Sequence, residues 1–158
     1  MSKGLVVYYS RSGNTERMAD IIAEAMNKAG LDTDCKSVDN TSVKDLLAAD
    51  AIVVGSPTYY GLMSFEIKKL FDESVSKHGQ LDGKIGAAFS SSANIGGGNE
   101  TTIMAILQMM LIHGMLIQGD AKGDHYGPVS IGQPDDRVEK MCKRQGQRIA
   151  ELVKKLAK

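Results

Sequence analysis

The sequence is poor in several residue types, and each shortage excludes a class of protein. Its 158 residues include no Trp, three Phe, three Pro and two Cys. Cys35 and Cys142 are far apart and lack the spacing of metal ligands, so no metal site is expected. We expect two free, at least partly buried thiols in a reducing cytoplasm, with a disulfide or redox pair as the alternative.

The chain also lacks an excess of charge and a long apolar run. Nineteen basic side chains balance nineteen acidic ones, which argues against a nucleic-acid partner bound through a general basic surface. No apolar run approaches the roughly 20 residues that span a bilayer. The opening segment MSKGLVVYYS has no separate basic, apolar and cleavage regions, so we expect no signal peptide and a cytoplasmic location.

What the sequence does contain is a regular alternation of strand-like and helix-like segments. Strands are predicted at residues 4–9, 32–38, 51–55, 84–91 and 115–119, and helices at residues 15–29, 42–48, 64–76, 99–113 and 135–157. A long loop follows the last strand as far as Pro134. This order predicts one α/β domain over residues 1–158, a doubly wound parallel sheet covered by helices on both faces. Ligands of such sheets bind at the carboxyl ends of the strands.

The segment between the first strand and the first helix has the composition of a phosphate site. Four polar side chains surround Gly13, namely those of Ser10, Ser12, Asn14 and Thr15. The free amides and the dipole of the following helix favour an anion there. Arg11 either adds charge or stays outside, and the sequence leaves both open. The alternative is that Ser12 and Thr15 merely cap the helix.

Several other phosphate chemistries do not fit this segment. It has neither the G-x-x-x-x-G-K-[ST] pattern of nucleotide triphosphatases nor the G-x-G-x-x-G pattern of dinucleotide-binding folds. It has no Cys to act as a phosphatase nucleophile. Phospho-receiver domains need carboxylates where this chain has Ser10 and Gly55-Ser56.

Two later loops follow buried strands of the same predicted sheet. The segment SPTYYGLM offers Tyr59 and Tyr60 for stacking on a flat ring, or simply for packing on the surface, and Gly61 exposes backbone polar groups. The segment SSSANIGGGN has hydroxyls, Asn94 and a run of glycines that permits close approach of the backbone. Together the three loops predict a phosphorylated planar ligand, and flavin mononucleotide (FMN) has that shape.

Longer stretches of the sequence resemble a known family. These are YYSRSGNTERMA, VGSPTYYGLMS with the following KKLFD, FSSSANIGGGNETT, IHGMLI and HYGPVSIGQPDD. The chain resembles the flavodoxin-like superfamily, most closely the WrbA family of FMN-dependent NAD(P)H:quinone oxidoreductases. The resemblance implies a five-stranded parallel sheet in the order 2-1-3-4-5.

The resemblance also implies roles for individual residues. The FMN phosphate would be held by Ser10, Arg11, Ser12, Gly13, Asn14 and Thr15. The ring would be lined by Pro57, Thr58, Tyr59, Tyr60 and Gly61, and its other edge and the ribityl chain by Ser91, Ser92, Ala93, Asn94, Gly96 and Gly97. His113 matches a family histidine near the flavin where nicotinamide or quinone docks, although the residues alone equally favour a core or interface histidine.

At this site we expect an enzyme, with an electron carrier as the alternative. In the first, NAD(P)H reduces the flavin and a quinone or similar small-molecule acceptor reoxidises it. In the second, the chain is a flavodoxin that carries single electrons between redox proteins; such carriers are usually strongly acidic, whereas this chain is neutral. The helix at residues 99–113 is rich in Met and Ile, so we expect a core helix that also contributes a subunit contact in a homo-oligomer.

Overall fold

The chain folds into alternating strands and helices, in the order that the sequence predicts. The computed structural model describes residues 2–157. The strands are β1 (Lys3–Tyr8), β2 (Asp32–Ser37), β3 (Ala51–Pro57), β4 (Ile85–Ser92), β5 (Leu116–Ile117) and β6 (Val129–Ile131). The α-helices are α1 (Asn14–Lys28), α2 (Val43–Ala48), α3 (Phe65–Glu73), α4 (Asn99–Ile112) and α5 (Asp136–Leu156), with 3-10 turns at Val38–Asn40 and Ser74–Lys77.

The strands form one parallel sheet. Its order is β2-β1-β3-β4-β5, and β6 pairs with β4 off this path. Val6 of β1 lies opposite Cys35 of β2 on one side and Val53 of β3 on the other. The predicted doubly wound fold with the order 2-1-3-4-5 is therefore confirmed, with β6 as an addition.

Two cores cover the two faces of the sheet. Val7 and Val54 point into a core with α2, α3 and α4, whereas Val6 and Val53 point into a core with α1 and α5. All four valines are fully buried. Burial on both faces explains why β1 and β3 are continuously apolar instead of alternating.

The predicted boundaries differ from the structure in two places that matter for the site. β3 continues past residue 55 to Pro57, and β4 continues past residue 91 to Ser92, so the hydroxyl of Ser92 is held on a strand as well as that of Ser91. The predicted last strand at residues 115–119 is reduced to Leu116–Ile117, and the predicted loop before Pro134 contains β6. A strand of three residues, paired with Ser90–Ser92, is too short to show a period in the sequence.

No α-helix within residues 2–157 combines the length and the apolar character that crossing a membrane requires.

Candidate functional site

The candidate site lies at the end of the sheet where β1, β3 and β4 stop, which we call the carboxyl end. Loop 1 (residues 9–13) follows β1, loop 2 (residues 58–64) follows β3 and loop 3 (residues 93–98) follows β4. These three strands are neighbours in the sheet, so parallel pairing brings the three predicted loops together. We call the opposite end of the sheet, where the strands begin, the amino end.

Loop 1 turns sharply into α1 at Gly13. This glycine has φ 90° and is the N-cap of α1, a left-handed conformation that glycine adopts without strain. The backbone N–H of Gly13 donates to Ser10 Oγ over 3.1 Å, which closes the turn. The side chains of Arg11 and Ser12 are exposed, and Asn14 is partly exposed, so they stand free to meet a ligand.

Thr15 ties loop 1 to the far strand of the site. Its side chain is buried, and Thr15 Oγ1 lies 2.9 Å from Ser91 Oγ of β4. This hydrogen bond passes across the end of β3 and links the predicted phosphate segment with the third predicted loop. The sequence separation of 76 residues shows that the contact is a product of the fold rather than of local structure.

Two of the helices that begin at this site have no side-chain cap. Within residues 2–157, α1 and α4 begin at Gly13 and Gly98 with no side-chain hydrogen bond to cap them. By contrast, α3 and α5 are capped by the side chains of Ser64 and Asp135. The alternative that Ser12 and Thr15 cap α1 therefore finds no support, and the first amides of α1 keep their capacity to bind an anion.

Loop 2 contains a tight two-residue turn. Tyr59 and Leu62 exchange both backbone hydrogen bonds, at 2.9 and 3.0 Å. Tyr60 and Gly61 between them have φ of 51° and 79°, as a type I′ turn requires. Among the described residues, Tyr60 is the one non-glycine with positive φ, and its side chain is fully exposed. Strain at an exposed aromatic residue is typical of functional sites.

Hydrogen bonds fasten loop 2 to β4. The backbone N–H of Thr58 donates to the carbonyl of Ser91 over 2.8 Å, and Thr58 Oγ1 lies 3.1 Å from Ser90 Oγ. Tyr59 packs on Tyr9 with a ring-centroid separation of 6.2 Å. The carboxylate of Glu66 raises the pKa of the Tyr9 hydroxyl. The aromatic pair forms a wall between loops 1 and 2.

Two threonines of α4 that sequence reasoning missed hold loops 2 and 3 together. Thr101 Oγ1 donates to the carbonyl of Gly61 over 2.7 Å, and Thr102 Oγ1 donates to Thr58 Oγ1 over 3.2 Å. Gly98 approaches so closely that a Cβ there would lie 2.8 Å from the Cα of Gly61. The sequence signal for both threonines is the segment NETT directly after the glycine run.

Loop 3 is exposed but internally bonded. Ser92 Oγ donates to the carbonyl of Asn94 over 3.1 Å, and the N–H of Gly97 donates to the same carbonyl over 3.1 Å. Ala93, Asn94, Gly96 and Gly97 are exposed. The predicted residues of this loop thus face outward at the carboxyl end, beside loop 2.

The helices carry opposite charges at their two ends. Acidic residues occupy the first turns at the carboxyl end of the sheet, namely Glu16, Asp39, Asp45, Glu66, Glu100, Asp136 and Glu139. Basic residues occupy the last turns at the amino end, namely Lys28, Lys77, Lys154 and Lys155. The zero net charge therefore conceals an excess of carboxylates in these first turns, which we call the acidic rim; Arg11 of loop 1 and Arg17, which pairs with Glu139, are basic residues at the same end.

The structure does not bring His113 to the three loops. It caps the end of α4 at the amino end, and a helix of 14 residues carries it ~20 Å away from loop 3. Its Nε2 lies 3.4 Å from Ser74 Oγ, and its ring packs on Phe71. Burial, with a smaller effect of His78, lowers the pKa of His113. Within its own chain His113 therefore lies away from the three loops, and a role for it where nicotinamide or quinone docks stays a prediction.

The known proteins to which this chain is similar include flavodoxins and an NAD(P)H dehydrogenase (quinone). The family model described as flavodoxin matches residues 6–104. A flavodoxin of Aquifex aeolicus is 44% identical over 97% of this chain and 88% of its own length. An NAD(P)H dehydrogenase (quinone) of Archaeoglobus fulgidus is 30% identical over 99% of this chain and its full length. The WrbA-like flavodoxin structure from Agrobacterium tumefaciens superposes with a TM-score of 0.83 at 26% identity, covering 98% of this chain and 99% of its own.

Proposed function

The chain belongs to the flavodoxin family, and on this basis we propose that it is an FMN-binding electron carrier that exchanges single electrons with other redox proteins. The observation that carries the proposal is the joined set of three loops at the carboxyl end, with the Thr15–Ser91 hydrogen bond between the start of α1, directly after loop 1, and the end of β4, directly before loop 3. When bound, FMN supplies the redox chemistry, and the chain's own residues bind, orient and tune it.

The phosphate is proposed to bind residues 10–15. The uncapped amides of α1 and the neighbouring hydroxyls are neutral donors, and such donors bind a phosphate dianion without a lysine. Within the described chain, a Cβ built on Gly13 would meet no atom within 4 Å, so the cradle is open on that side. These observations fit a phosphate at loop 1.

The isoalloxazine ring is proposed to lie between loops 2 and 3. Residues 57–61 present an exposed Tyr60 and the backbone groups of a tight turn. Residues 91–97 present the second wall, which Thr101 and Thr102 hold at a fixed distance from the first. We call the proposed position of the ring between these two loops the slot; a flat ring held there would keep one edge within reach of an electron-transfer partner.

The acidic rim favours the carrier over the reductase. NAD(P)H carries negative phosphates, and carboxylates such as Glu66 and Glu100 beside the slot repel it. The same carboxylates attract the basic surface of a redox protein and accelerate its encounter. Within residues 2–157, His113 lies at the other end of the sheet and gives the slot of its own chain no proton donor.

The second candidate is an NAD(P)H:quinone oxidoreductase. The observation that favours it is the likeness, over nearly the whole chain, to a relative named NAD(P)H dehydrogenase (quinone). In this function NAD(P)H would be the co-substrate, and a quinone or similar small molecule the acceptor, both docking at the slot in alternating turns.

Two measurements test the proposal. First, FMN added to the cofactor-free protein is expected to raise its melting temperature, because a ligand that binds only the folded state stabilises it. A colourless protein whose melting temperature does not change when FMN is added would contradict both proposed functions. Second, the FMN-loaded protein is mixed anaerobically with NADPH. Slow or absent bleaching of the flavin absorbance, with fast reoxidation of chemically reduced protein by a basic c-type cytochrome, supports the carrier, whereas bleaching within seconds supports the reductase.

A further inference from the structure

Phe65 differs from the other two phenylalanines of the chain. Phe71 and Phe89 are buried in the two cores, whereas Phe65 is 73% exposed. Phe65 is the first residue of α3 and directly follows the capping Ser64, so the start of the helix fixes its backbone at the carboxyl end. Its ring forgoes the stabilisation that burial would provide, and aromatic side chains are enriched where proteins contact one another.

A groove opens beside Phe65, and we call it the α3 groove. It has a volume of about 270 Å³ and runs between α3 and the 3-10 turn Val38–Asn40, which follows β2. Its floor is apolar, because Val38 and Leu70 line it and are buried. Its edges carry three carboxylates and one ammonium, those of Asp39, Glu66, Glu73 and Lys69.

Two of the three carboxylates of the α3 groove are not compensated by a cation. The ammonium of Lys69 lies 3.9 Å from Glu73, so these two charges offset each other. Among the ion pairs of residues 2–157, none includes Asp39 or Glu66. Both side chains are at least partly exposed. The groove therefore presents negative charge beside an exposed aromatic ring.

An aromatic ring flanked by free carboxylates is suited to an organic cation. The face of a phenylalanine ring attracts an ammonium or guanidinium group, and a carboxylate accepts strong hydrogen bonds from the same group. The aliphatic part of a Lys or Arg side chain can pack on an apolar floor while its charged end stays at the edge. A ligand with phosphates would instead be repelled by Asp39 and Glu66.

We propose that the α3 groove binds a basic side chain, Arg or Lys, of the redox protein with which this chain exchanges electrons. The inference rests on the carrier function proposed above, and it adds the place and the chemistry of one anchoring contact. Glu66 lines the groove and also acts on Tyr9 of the aromatic wall. That wall separates the groove from the slot, so a partner anchored at Phe65 lies on one side of the slot and reaches it with its own redox group.

An anchor of this kind differs from general attraction to the acidic rim. The carboxylates of the rim act at a distance on any basic surface, and salt screens them. The ring of Phe65 acts only in contact with a cation, at short range. Loss of the ring should therefore weaken binding at low and at moderate salt alike, whereas loss of a carboxylate should matter mainly at low salt.

The test is the binding of a basic c-type cytochrome to the FMN-loaded protein, with both proteins oxidised, measured by isothermal titration calorimetry. Phe65→Leu keeps an apolar side chain but removes the ring, and we expect the dissociation constant to rise about 3- to 10-fold. The matched control is Val75→Ala. It trims an apolar side chain of the same 73% exposure at the amino end, and binding should change less than twofold.

A second pair of variants tests the carboxylates of the α3 groove. Asp39→Asn removes a free carboxylate from the groove, and Asp32→Asn removes the same charge at the start of β2, at the amino end. We expect Asp39→Asn to weaken binding about threefold or more at low salt and Asp32→Asn to have less than half that effect. At ~0.15 M salt the effect of Asp39→Asn should shrink, while that of Phe65→Leu should remain.

The outcomes separate this inference from the carrier function. The amide NMR signals of residues 38–41 and 64–66 should shift when the cytochrome is added, and the FMN affinity of Phe65→Leu should match the wild type. Wild-type binding by Phe65→Leu, or an equal loss in Val75→Ala, would overturn the anchor, while electron transfer to the cytochrome would still support the carrier. A cytochrome that neither binds nor accepts electrons would overturn both.

Discussion

The two ends of the parallel sheet are built from the same strands and helices but differ in almost every polar property. At the carboxyl end, α1 and α4 begin without side-chain caps within the described chain, hydroxyls link three loops, and carboxylates occupy the first turns. At the amino end the helices finish, lysines occupy the last turns, and His113 is enclosed by Phe71 and Ser74. The direction of the strands therefore decides which end of the sheet has free amides and hydroxyls for binding a ligand. The zero net charge of the chain does not show that the two ends carry charges of opposite sign.

The largest effect is expected from removing a hydroxyl at the carboxyl end. Thr15→Val keeps the shape of the side chain but removes its bonding capacity toward Ser91 and the phosphate. We expect the dissociation constant for FMN to rise 10- to 100-fold, because hydrogen bonds to charged groups contribute about 1.5–3 kcal/mol. Quenching of flavin fluorescence during titration measures it.

The control for this change is a threonine at the amino end. Thr33 is also buried, and its hydroxyl donates to the carbonyl of Leu31 over 2.7 Å. Thr33→Val should lower stability by about 1 kcal/mol and change FMN affinity less than twofold. Equal effects of the two variants on FMN affinity would contradict the distinction between the ends.

The acidic rim should control the encounter with a basic redox protein. Glu66→Gln/Glu100→Gln is expected to slow electron transfer from the reduced protein to a basic c-type cytochrome by about 3- to 10-fold at low salt, with the difference vanishing at high salt. Stopped-flow mixing measures the rates. Glu73→Gln/Glu151→Gln removes the same charge at the amino end, and a comparable loss of rate in this control would show that only net charge matters.

The strained turn of loop 2 should lower the stability of the cofactor-free protein while Tyr60 raises its affinity for FMN. Tyr60→Gly relieves a left-handed conformation in a side chain that packs on nothing, so the cofactor-free protein should gain up to ~1 kcal/mol, or a few degrees in melting temperature. FMN affinity should fall about tenfold through the lost stacking. Tyr126, which is exposed but has no positive φ, is the control, because Tyr126→Gly should not stabilise the protein.

The smallest effect on FMN binding is expected from His113. His113→Gln should change FMN affinity less than twofold, and a tenfold loss would show that the amino end contributes to the site. Because the folded state lowers the pKa of His113, the unfolded state binds more protons as the pH falls below the ordinary value of 6.5. Wild-type stability should therefore fall toward pH 5, and His113→Gln should lessen that fall, as thermal unfolding at several pH values would measure.

The fold could be predicted from the sequence because each local pattern is typical of the strand or helix that forms there. Apolar runs such as residues 51–55 fit strands that are buried on both faces, and Gly30 and Gly13 mark the ends of α1. The position of the three loops could be predicted because all the strands of a parallel sheet end at the same edge, which places the loops after neighbouring strands side by side. β6 was missed, since three residues paired with Ser90–Ser92 show no period and are held by tertiary pairing alone.

Two features of the site depend on geometry that the sequence does not show. The resemblance assigned His113 to the flavin without saying which way α4 runs. Because α4 starts after loop 3, its end, and with it His113, lies at the amino end of its own chain. Thr101 and Thr102 were overlooked because they lie within a helix, where hydroxyls usually bond only to their own turn. Both do so here, to the carbonyl of Gly98, but they also reach loop 2, which local patterns do not reveal.

Residues 10–15 are proposed to bind the phosphate of a flavin. A pair of equilibrium titrations of the cofactor-free protein tests this, one with FMN and one with riboflavin, which differ only in the phosphate. We predict one FMN per chain, binding at least 100-fold more tightly than riboflavin, and a smaller ratio in Thr15→Val. Equal affinity for FMN and riboflavin, or no binding of FMN, would contradict it.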